Sequence, residues 1–425
     1  VAVPWGVGVP FRRLIIAWAI AIAALAFPAA GLLLYAVALF HRHARTMRCV
    51  PTARAGLEWA ASRTPTGSVC LIVPAHNEQD VVGTLIDSLR SQDYPRLSVV
   101  LSLDRCTDDT RAAAERHIAG DPRFHIHAVD TCPDDWAGKV HAIWSAVQGV
   151  ESARQADYLL FADADTIFDQ RCVSACVAYL EERRLDLFSL LSTLTTERWF
   201  EKIVQPVAAM ELVYQFPLTR CNAPDARRPF ANGQFMLFRA DAYRKVGGHA
   251  AVKDELLEDI ALARRVTELG LAPGVALADG LLRCRMYPDW QAFRRGWKRI
   301  YTESAKRRSS RLRRSAWRVR TLGAILPACT IALAVLSAAA LAARPEGLDP
   351  GAPRFGLMLA VAALAAWWWA LARIYATGGS PRWAVFAAPW GFWSVGAILA
   401  EAARDLRRGI PTLWAGRAYR RPDRS

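Results

Sequence analysis

From Leu14 to Phe40 the chain carries no charged residue, a stretch longer than the roughly 20 apolar residues an α-helix needs to cross a bilayer. In hydrocarbon no water satisfies the backbone N–H and C=O groups, so such a segment is held to the helix. Arg12 and Arg13 precede the block, as they would in a cleavable signal peptide. Its length, and the lack of a small-residue cleavage site leading into a neutral or acidic start, favour an anchor. Thr321 to Ala343 and Phe355 to Tyr375 predict two further spans, the second carrying Trp367, Trp368 and Trp369. Trp383 to Ala400 is shorter and contains Pro389 and Gly391, which predicts a re-entrant or interfacial segment.

The formal charge is +15 over 425 residues, of which 53% are hydrophobic. Basic charge alone would fit a nucleic-acid binder. Here the basic residues cluster beside the apolar blocks, which points to an anionic membrane surface and away from nucleic acid. Lys298 to Arg320 holds ten basic residues against the single acid Glu303, and the chain from Arg404 holds seven Arg against Asp405 and Asp423. The positive-inside rule therefore places the region between the first two spans in the cytoplasm, at the cell (inner) membrane of a multi-pass protein. The 341–354 loop falls outside, and the tail is inside again, so an even number of crossings is expected after the central domain. The expected divisions are an anchor over 1–45, a central domain over 67–300 with an interfacial helix near 288–303, membrane segments over 321–400, and a basic tail over 401–425.

Within the central region strands and helices alternate. "SVCLIVPAHNE" is an apolar run stopped by Pro74 and Asn77, and "VVGTLIDSLRSQ" repeats Val81, Leu85, Ile86 and Leu89 at helical spacing. "LSVVLSL" predicts a second strand, "DRCTDDTRAAAERHI" a turn entering a helix, and "FHIHAVD" a third strand. A helix from about Lys139 through Val150 follows, and "DYLLFADAD" predicts the fourth strand. This alternation predicts an α/β domain with a Rossmann-like, mainly parallel sheet. Ligands then bind beyond the carboxyl ends of the strands, where Glu78, Asp104, Asp163 and Asp165 fall. Asp163 and Asp165, two apart, face one side of an extended backbone. Such a pair suits Mg2+ or Mn2+ shared with substrate phosphates, although two solvated turn acids share the pattern. The cysteines of the central region are expected to be free thiols. Cys172 and Cys176 lack further ligands at zinc spacing and read as core residues.

The segments "VPAHNE", "LSLDRCTDD", "WAGKVHA", "FADAD", "ANGQFMLFR" and "LLEDIALARRV" follow one another in that order. Together they resemble the family-2 glycosyltransferases of the GT-A fold, over roughly residues 67–300. The tryptophan in "WAGKV", the segment "RMYPDWQAFRRGWKR" and the tail "RRGIPTLWAGRAY" look like the membrane enzymes that glycosylate lipids, of the carotenoid, hopanoid-associated and ceramide type. The resemblance implies an inverting transfer from a nucleoside-diphosphate sugar, a UDP-sugar foremost, to a lipid acceptor. It implies a nucleotide-sugar site of Pro74, Ala75, Glu78, Asp104, Lys139 and Asp163, with Lys139 and the free N–H groups of its helix start facing the diphosphate. Asp163 and Asp165 become the metal ligands that offset charge on the leaving group. Asp259 becomes the base that takes the acceptor proton and Glu258 a supporting acid. Asn232, Gly233 and Gln234 are placed at the acceptor side.

The chain departs from this family in two places. Leu103 stands where the first acid of an Asp-Asp pair is usual, leaving Asp104 alone to meet the base. Polysaccharide synthases carry Q-x-x-R-W, whereas Gln291, Arg294 and Trp297 are spaced differently. Trp290, Phe293, Trp297 and Ile300 form one stripe of a basic helix, which predicts that the helix lies in the membrane interface; packing of the stripe against the domain is the other reading, and both can hold. The rivals are a polysaccharide synthase, a polyprenyl-phosphate glycosyltransferase and a non-catalytic nucleotide-sugar-binding membrane protein. The combined acids Asp104, Asp163, Asp165 and Asp259 disfavour the last. No G-x-G-x-x-G or P-loop is present.

Overall fold

Strand β1 (Val69–Ala75) is buried along nearly its whole length, as an apolar run covered on both faces must be. Alternate residues feed two cores: Leu71 and Val73 enter one, Cys70 and Ile72 the other. β2 (Leu97–Asp104) and β4 (Tyr158–Ala162) flank β1, and β3 (Phe124–Val129) lies beyond β2, all parallel. The crossovers are the helices Val82–Arg90, Thr110–Ile118 and Gly138–Gly149. This computed structural model describes residues 8–63, 65–222, 229–344 and 348–425, with side chains from Ile16 onward. Residues 1–7 of the expected anchor, the side chains of Arg12 and Arg13, and 345–347 of the expected external loop lie outside them.

The sheet continues past β4 with β8 (Phe235–Arg239), β6 (Leu187–Leu191) and β9 (Pro273–Leu277), in the order β3-β2-β1-β4-β8-β6-β9. β8 runs antiparallel to both neighbours, and β6 and β9 are parallel. A second sheet, in the order β5-β10-β7, joins β5 (Thr166–Phe168), β7 (Thr193–Leu194) and β10 (Leu282–Cys284). Leu103, at the position lacking its acid, is 4% exposed, packs in the core and pairs with Ala75. The nine cysteines are free, and Cys172 and Cys176 are buried on the helix Cys172–Glu182.

The described residues divide into two compact units. One comprises 46–195, 212–309 and 402–425, and the other 8–45, 196–211 and 310–401. The second is helical. Four helical stretches, Ile16–Cys49, Ser309–Ala343, Gly351–Thr377 and Arg382–Arg407, are long and apolar enough to cross a membrane. The expected break at Pro389 and Gly391 does not interrupt the last of them. A 3-10 turn (Arg382–Ala387) leads into the helix Ala388–Arg407. Pro389 thus sits in the first turn, where no intrahelical N–H is required. Gly391 closes on the backbone, since a Cβ there would lie 2.6 Å from the Ile203 carbonyl oxygen.

The helix Trp290–Ser304 is opened by Asp289 accepting the Ala292 N–H at 2.8 Å. Trp290, Phe293, Trp297 and Tyr301 form a ladder with ring centroids 5.3–6.0 Å apart, and Phe293 and Trp297 are 0% and 3% exposed. Phe293 and Trp297 of the stripe are thus packed inside the protein, while Trp290 and Ile300 are half-buried. Gln291 and Arg294 are on the exposed face.

Candidate active site

The two acids of "FADAD" do not lie on an extended strand. Asp163 to Asp165 form the turn between β4 and β5, so the turn, and not the pleat, brings them together. Thr166 Oγ1 donates to the Asp163 carbonyl at 2.7 Å and the Arg285 N–H to the Asp165 carbonyl at 3.0 Å. Burial, then the charge of Asp163, pushes the Asp165 carboxyl up to about 7, against a hydrogen bond from Cys284. Asp165 Oδ1 is buried without a hydrogen-bond partner. Glu78, after β1, is pushed up to about 8 by burial and then by Asp165 and Asp163. Such mutual repulsion is what a bound cation relieves.

These groups fit a divalent ion. Among the described residues no group of three His, Cys, Asp or Glu could hold a metal unaided, so a cation would draw further oxygens from a ligand. That is the habit of Mg2+, which takes one or two carboxylates plus phosphates.

Lys139 joins two acids: its Nζ lies 2.7 Å from Asp163 Oδ1 and 2.6 Å from Glu258 Oε1, bridging the turn after β4 to the helix Glu258–Glu268. Burial alone would lower its pKa, but the two carboxylates raise it, and an unpaired ammonium there would cost several kcal/mol. The Gly138 N–H ahead of it is taken by Tyr419 Oη at 3.1 Å.

Glu258 and Asp259, adjacent in sequence, are driven apart. Burial would raise Glu258, yet the Lys139 ammonium outweighs it and holds the carboxyl below its ordinary value. Asp259 is pushed up to about 7, first by burial and then by the Glu258 charge. Its oxygens accept the Gly233 N–H at 2.8 Å and the Ile260 N–H at 2.7 Å. One locked carboxylate beside one poised near neutrality is the pattern of a positioned base.

Of the acceptor-side trio, only Gly233 touches these acids. A Cβ there would come within 3.0 Å of Lys139 Nζ, 3.2 Å of Glu258 Oε1 and 3.3 Å of Asp259 Oδ2. Gly233→Ala is therefore expected to cost about 1–3 kcal/mol in stability by overpacking and about a hundredfold in turnover by displacing the acids, checked by urea melts and initial rates. Asn232 instead holds the turn: its Nδ2 donates to the Leu190 carbonyl at 3.0 Å and to Gln234 Oε1 at 3.1 Å, and Gln234 is 6% exposed. Trp297 is spent in the aromatic ladder, and Gln291 and Arg294 lie on the exposed face of the same helix.

At the end expected to hold the nucleotide, Pro74 and Ala75 close β1, and Asp104 closes β2, 2% exposed. The Asp104 carboxylate is gripped by Arg105 through two bonds of 2.7 Å, and its carbonyl accepts from His76 Nδ1 at 2.6 Å. Arg105 and Asn77 both have positive φ, 48° and 57°, the kind of backbone strain that collects at sites. Arg105, His76, Cys284 and Tyr419 were not expected from sequence. The only signals were the Asp-Arg pair and the two-residue turn in "TLWAGRAY".

Residues 65–303 match the model of the glycosyltransferase like family 2. The 4,4'-diaponeurosporenoate glycosyltransferase of Staphylococcus aureus (strain MRSA252) is 27% identical over 234 residues, which is 54% of this chain and 60% of that protein. The match thus spans less than two thirds of the curated relatives' length. Among solved structures, the mannosyltransferase PcManGT from Pyrobaculum calidifontis, in complex with GDP-Man and Mn2+, aligns with TM-score 0.48 at 20% identity, over 92% of this chain and 98% of that one. Glucosyl-3-phosphoglycerate synthase from Mycobacterium tuberculosis aligns with TM-score 0.38 at 19% identity, over 60% and 83%.

Proposed function

The chain belongs to glycosyltransferase family 2, and from that premise we propose that it transfers a sugar, with inversion, from a nucleoside-diphosphate sugar to a hydroxyl or carboxyl of a membrane lipid. The carrying observation is the Asp163–Lys139–Glu258 bridge beside Asp259. It sets a leaving-group site and a base side by side.

Asp259 takes the proton of the acceptor hydroxyl, whose oxygen attacks the anomeric carbon. The bond to the diphosphate breaks on the opposite face, and the diphosphate leaves with the electron pair. A carboxylate acceptor arrives without a proton to lose. Gly233 and Ile260 hold the two Asp259 oxygens, so the base is oriented before the acceptor arrives. Lys139 keeps Glu258 ionised and unavailable as a proton acceptor, which leaves that role to Asp259. Asp163 and Asp165 would hold Mg2+ or Mn2+, which supplies positive charge to a leaving diphosphate. A UDP-sugar is the donor we favour, with Asp104 and Arg105 at the nucleoside end.

A lipid acceptor is supported by the four long apolar helices and by the likeness to a 4,4'-diaponeurosporenoate glycosyltransferase. The arginine runs beside them support a cytoplasmic catalytic unit. Residues 402–425 share that unit with 46–195 and 212–309, so an even number of crossings separates Ser309 from Ala402. Three apolar helices lie between. Arg382–Arg407, with the lowest mean hydropathy of the four at 1.4, is the one we assign to the interface. An introduced cysteine at Asp349 is then expected to label from outside in sealed cells, and ones at Gly379 and Arg408 only after permeabilisation. Labelling of Arg408→Cys from outside would overturn this topology. Mass spectrometry of lipids from cells with and without the gene tests the function: a lipid heavier by one sugar residue is expected, and identical lipid profiles would count against it.

A further inference from the structure

The C-terminal strands β11 (Thr412–Trp414) and β12 (Arg417–Tyr419) pair as a hairpin, turned through Ala415 and Gly416 at φ 45° and 71°, as a type I′ turn requires. Isolated, a hairpin of this size is marginal. This one is fastened to the two loops that lead into the site. Arg417 Nη1 donates to the carbonyls of Pro133 and Trp136 at 3.2 and 3.3 Å, and Nη2 donates to Asp134 at 3.1 Å. Tyr419 Oη accepts the Gly138 N–H, the residue before Lys139. Arg421 donates to the Asp254 carbonyl, ahead of Glu258 and Asp259, and pairs with Glu303 at 3.4 Å. The loops are themselves tied: the Ala137 N–H donates to the Lys253 carbonyl at 2.6 Å, and Lys253 Nζ to Asp135 at 2.5 Å.

The hairpin's turn also reaches the nucleotide end. A Cβ on Gly416 would lie 3.4 Å from His76 Nε2, and one on Gly138 would lie 2.7 Å from Arg105 Nη2 and 3.0 Å from Asp104 Oδ2. The Arg421 and Arg417 side chains are 9% and 18% exposed. Guanidinium forks seated on carbonyls fix geometry in a way that solvated ion pairs do not. Sequence charge alone reads this tail as a solvated basic run, and the structure makes it a clasp.

We propose that the C-terminal hairpin belongs to the working site. Tyr419 and Arg417 are positioning residues that set the start of the Gly138–Gly149 helix and, through it, hold Lys139 between Asp163 and Glu258. This rests on the donor-binding reading above.

The test uses full-length protein in lipid nanodiscs, with UDP and GDP as probes, each with Mn2+. Tyr419→Phe removes one hydroxyl and keeps the ring. It is expected to speed amide exchange across 137–141 and to weaken nucleotide binding, each about fivefold, at an unchanged melting temperature. Arg417→Ala is expected to do both by about tenfold or more, with Arg417→Lys restoring little because it lacks the fork. Faster exchange with wild-type affinity would reduce the hairpin to a brace and overturn the proposal, as would unchanged exchange. Should Arg417→Ala fail to fold, Tyr419→Phe decides alone. A wild-type protein that binds neither nucleotide sinks the donor reading, and the hairpin's role with it. Variants that match a binding wild type sink the hairpin's role only.

Discussion

Asp259→Asn is expected to lower kcat by about 10²–10⁴-fold, roughly 3–5 kcal/mol of barrier, while nucleotide affinity with Mn2+ stays within about twofold. The amide keeps the size of the side chain, but with a single oxygen it can accept from only one of the Gly233 and Ile260 N–H groups, and it takes no proton. The wild-type pH profile carries the same signature. Asp259 works as the carboxylate, and burial beside Glu258 pushes it up to about 7. kcat/KM for a hydroxyl acceptor therefore falls as pH drops below about 7, by about tenfold per unit, and levels off above. In the variant that limb is lost. Initial rates at several pH values, with nucleotide binding by calorimetry, check both parts. Near-wild-type kcat in Asp259→Asn would move the proton to another group, and the Lys139-locked Glu258 is poorly suited to it.

Asp165→Asn is expected to act on the other half of the site. It removes one of the two carboxylates that would hold the cation, so UDP affinity with Mn2+ falls about a hundredfold or more. Affinity in excess chelator is unchanged, which separates a metal ligand from a direct nucleotide contact. Folding moves the opposite way. The folded-state pKa of Asp165 is raised, from 3.8 to about 7, so its contribution is stabilising while protonated and is lost as pH rises through the folded value. Asn mimics the protonated form. The variant is therefore expected to melt above the wild type at pH 8, in nucleotide-free, chelated buffer. A variant that melts lower at pH 8 would mean the carboxylate has a structural partner.

The first four strands and their crossover helices were legible because each is set locally: "VCLIVPA" is apolar on both faces, and Leu85, Ile86 and Leu89 recur at helical spacing and are buried, while Val81 falls at the N-cap and Val82 takes the buried place. β8, antiparallel within the sheet, and the sheet β5-β10-β7 were not. Their strands are short, and their partners are far apart in sequence, as in Thr166 with Cys284, so no periodicity marks them. At the site, residue types were readable and their arrangement was not. Two aspartates two apart look alike on a strand and in a turn. Lys139 shows a cation beside a glycine, but nothing local says that Asp163 and Glu258 converge on it. The stripe of Trp290, Phe293 and Trp297 is equally apolar toward lipid or toward protein, and only the structure shows that Phe293 and Trp297 pack inward. In the tail, seven arginines masked the short alternation of "TLWAGRAY".

One transfer assay tests lipid glycosylation by this protein most directly. Purified protein in nanodiscs is incubated with Mn2+, a lipid extract and UDP-sugars or GDP-sugars radiolabelled in the sugar, and label is counted in the organic phase. The account predicts label in the organic phase from one of these donors. That transfer is abolished by chelator and reduced about 10²-fold or more in Asp259→Asn. No label in the organic phase from any of the donors, or transfer by Asp259→Asn at the wild-type rate, would contradict it.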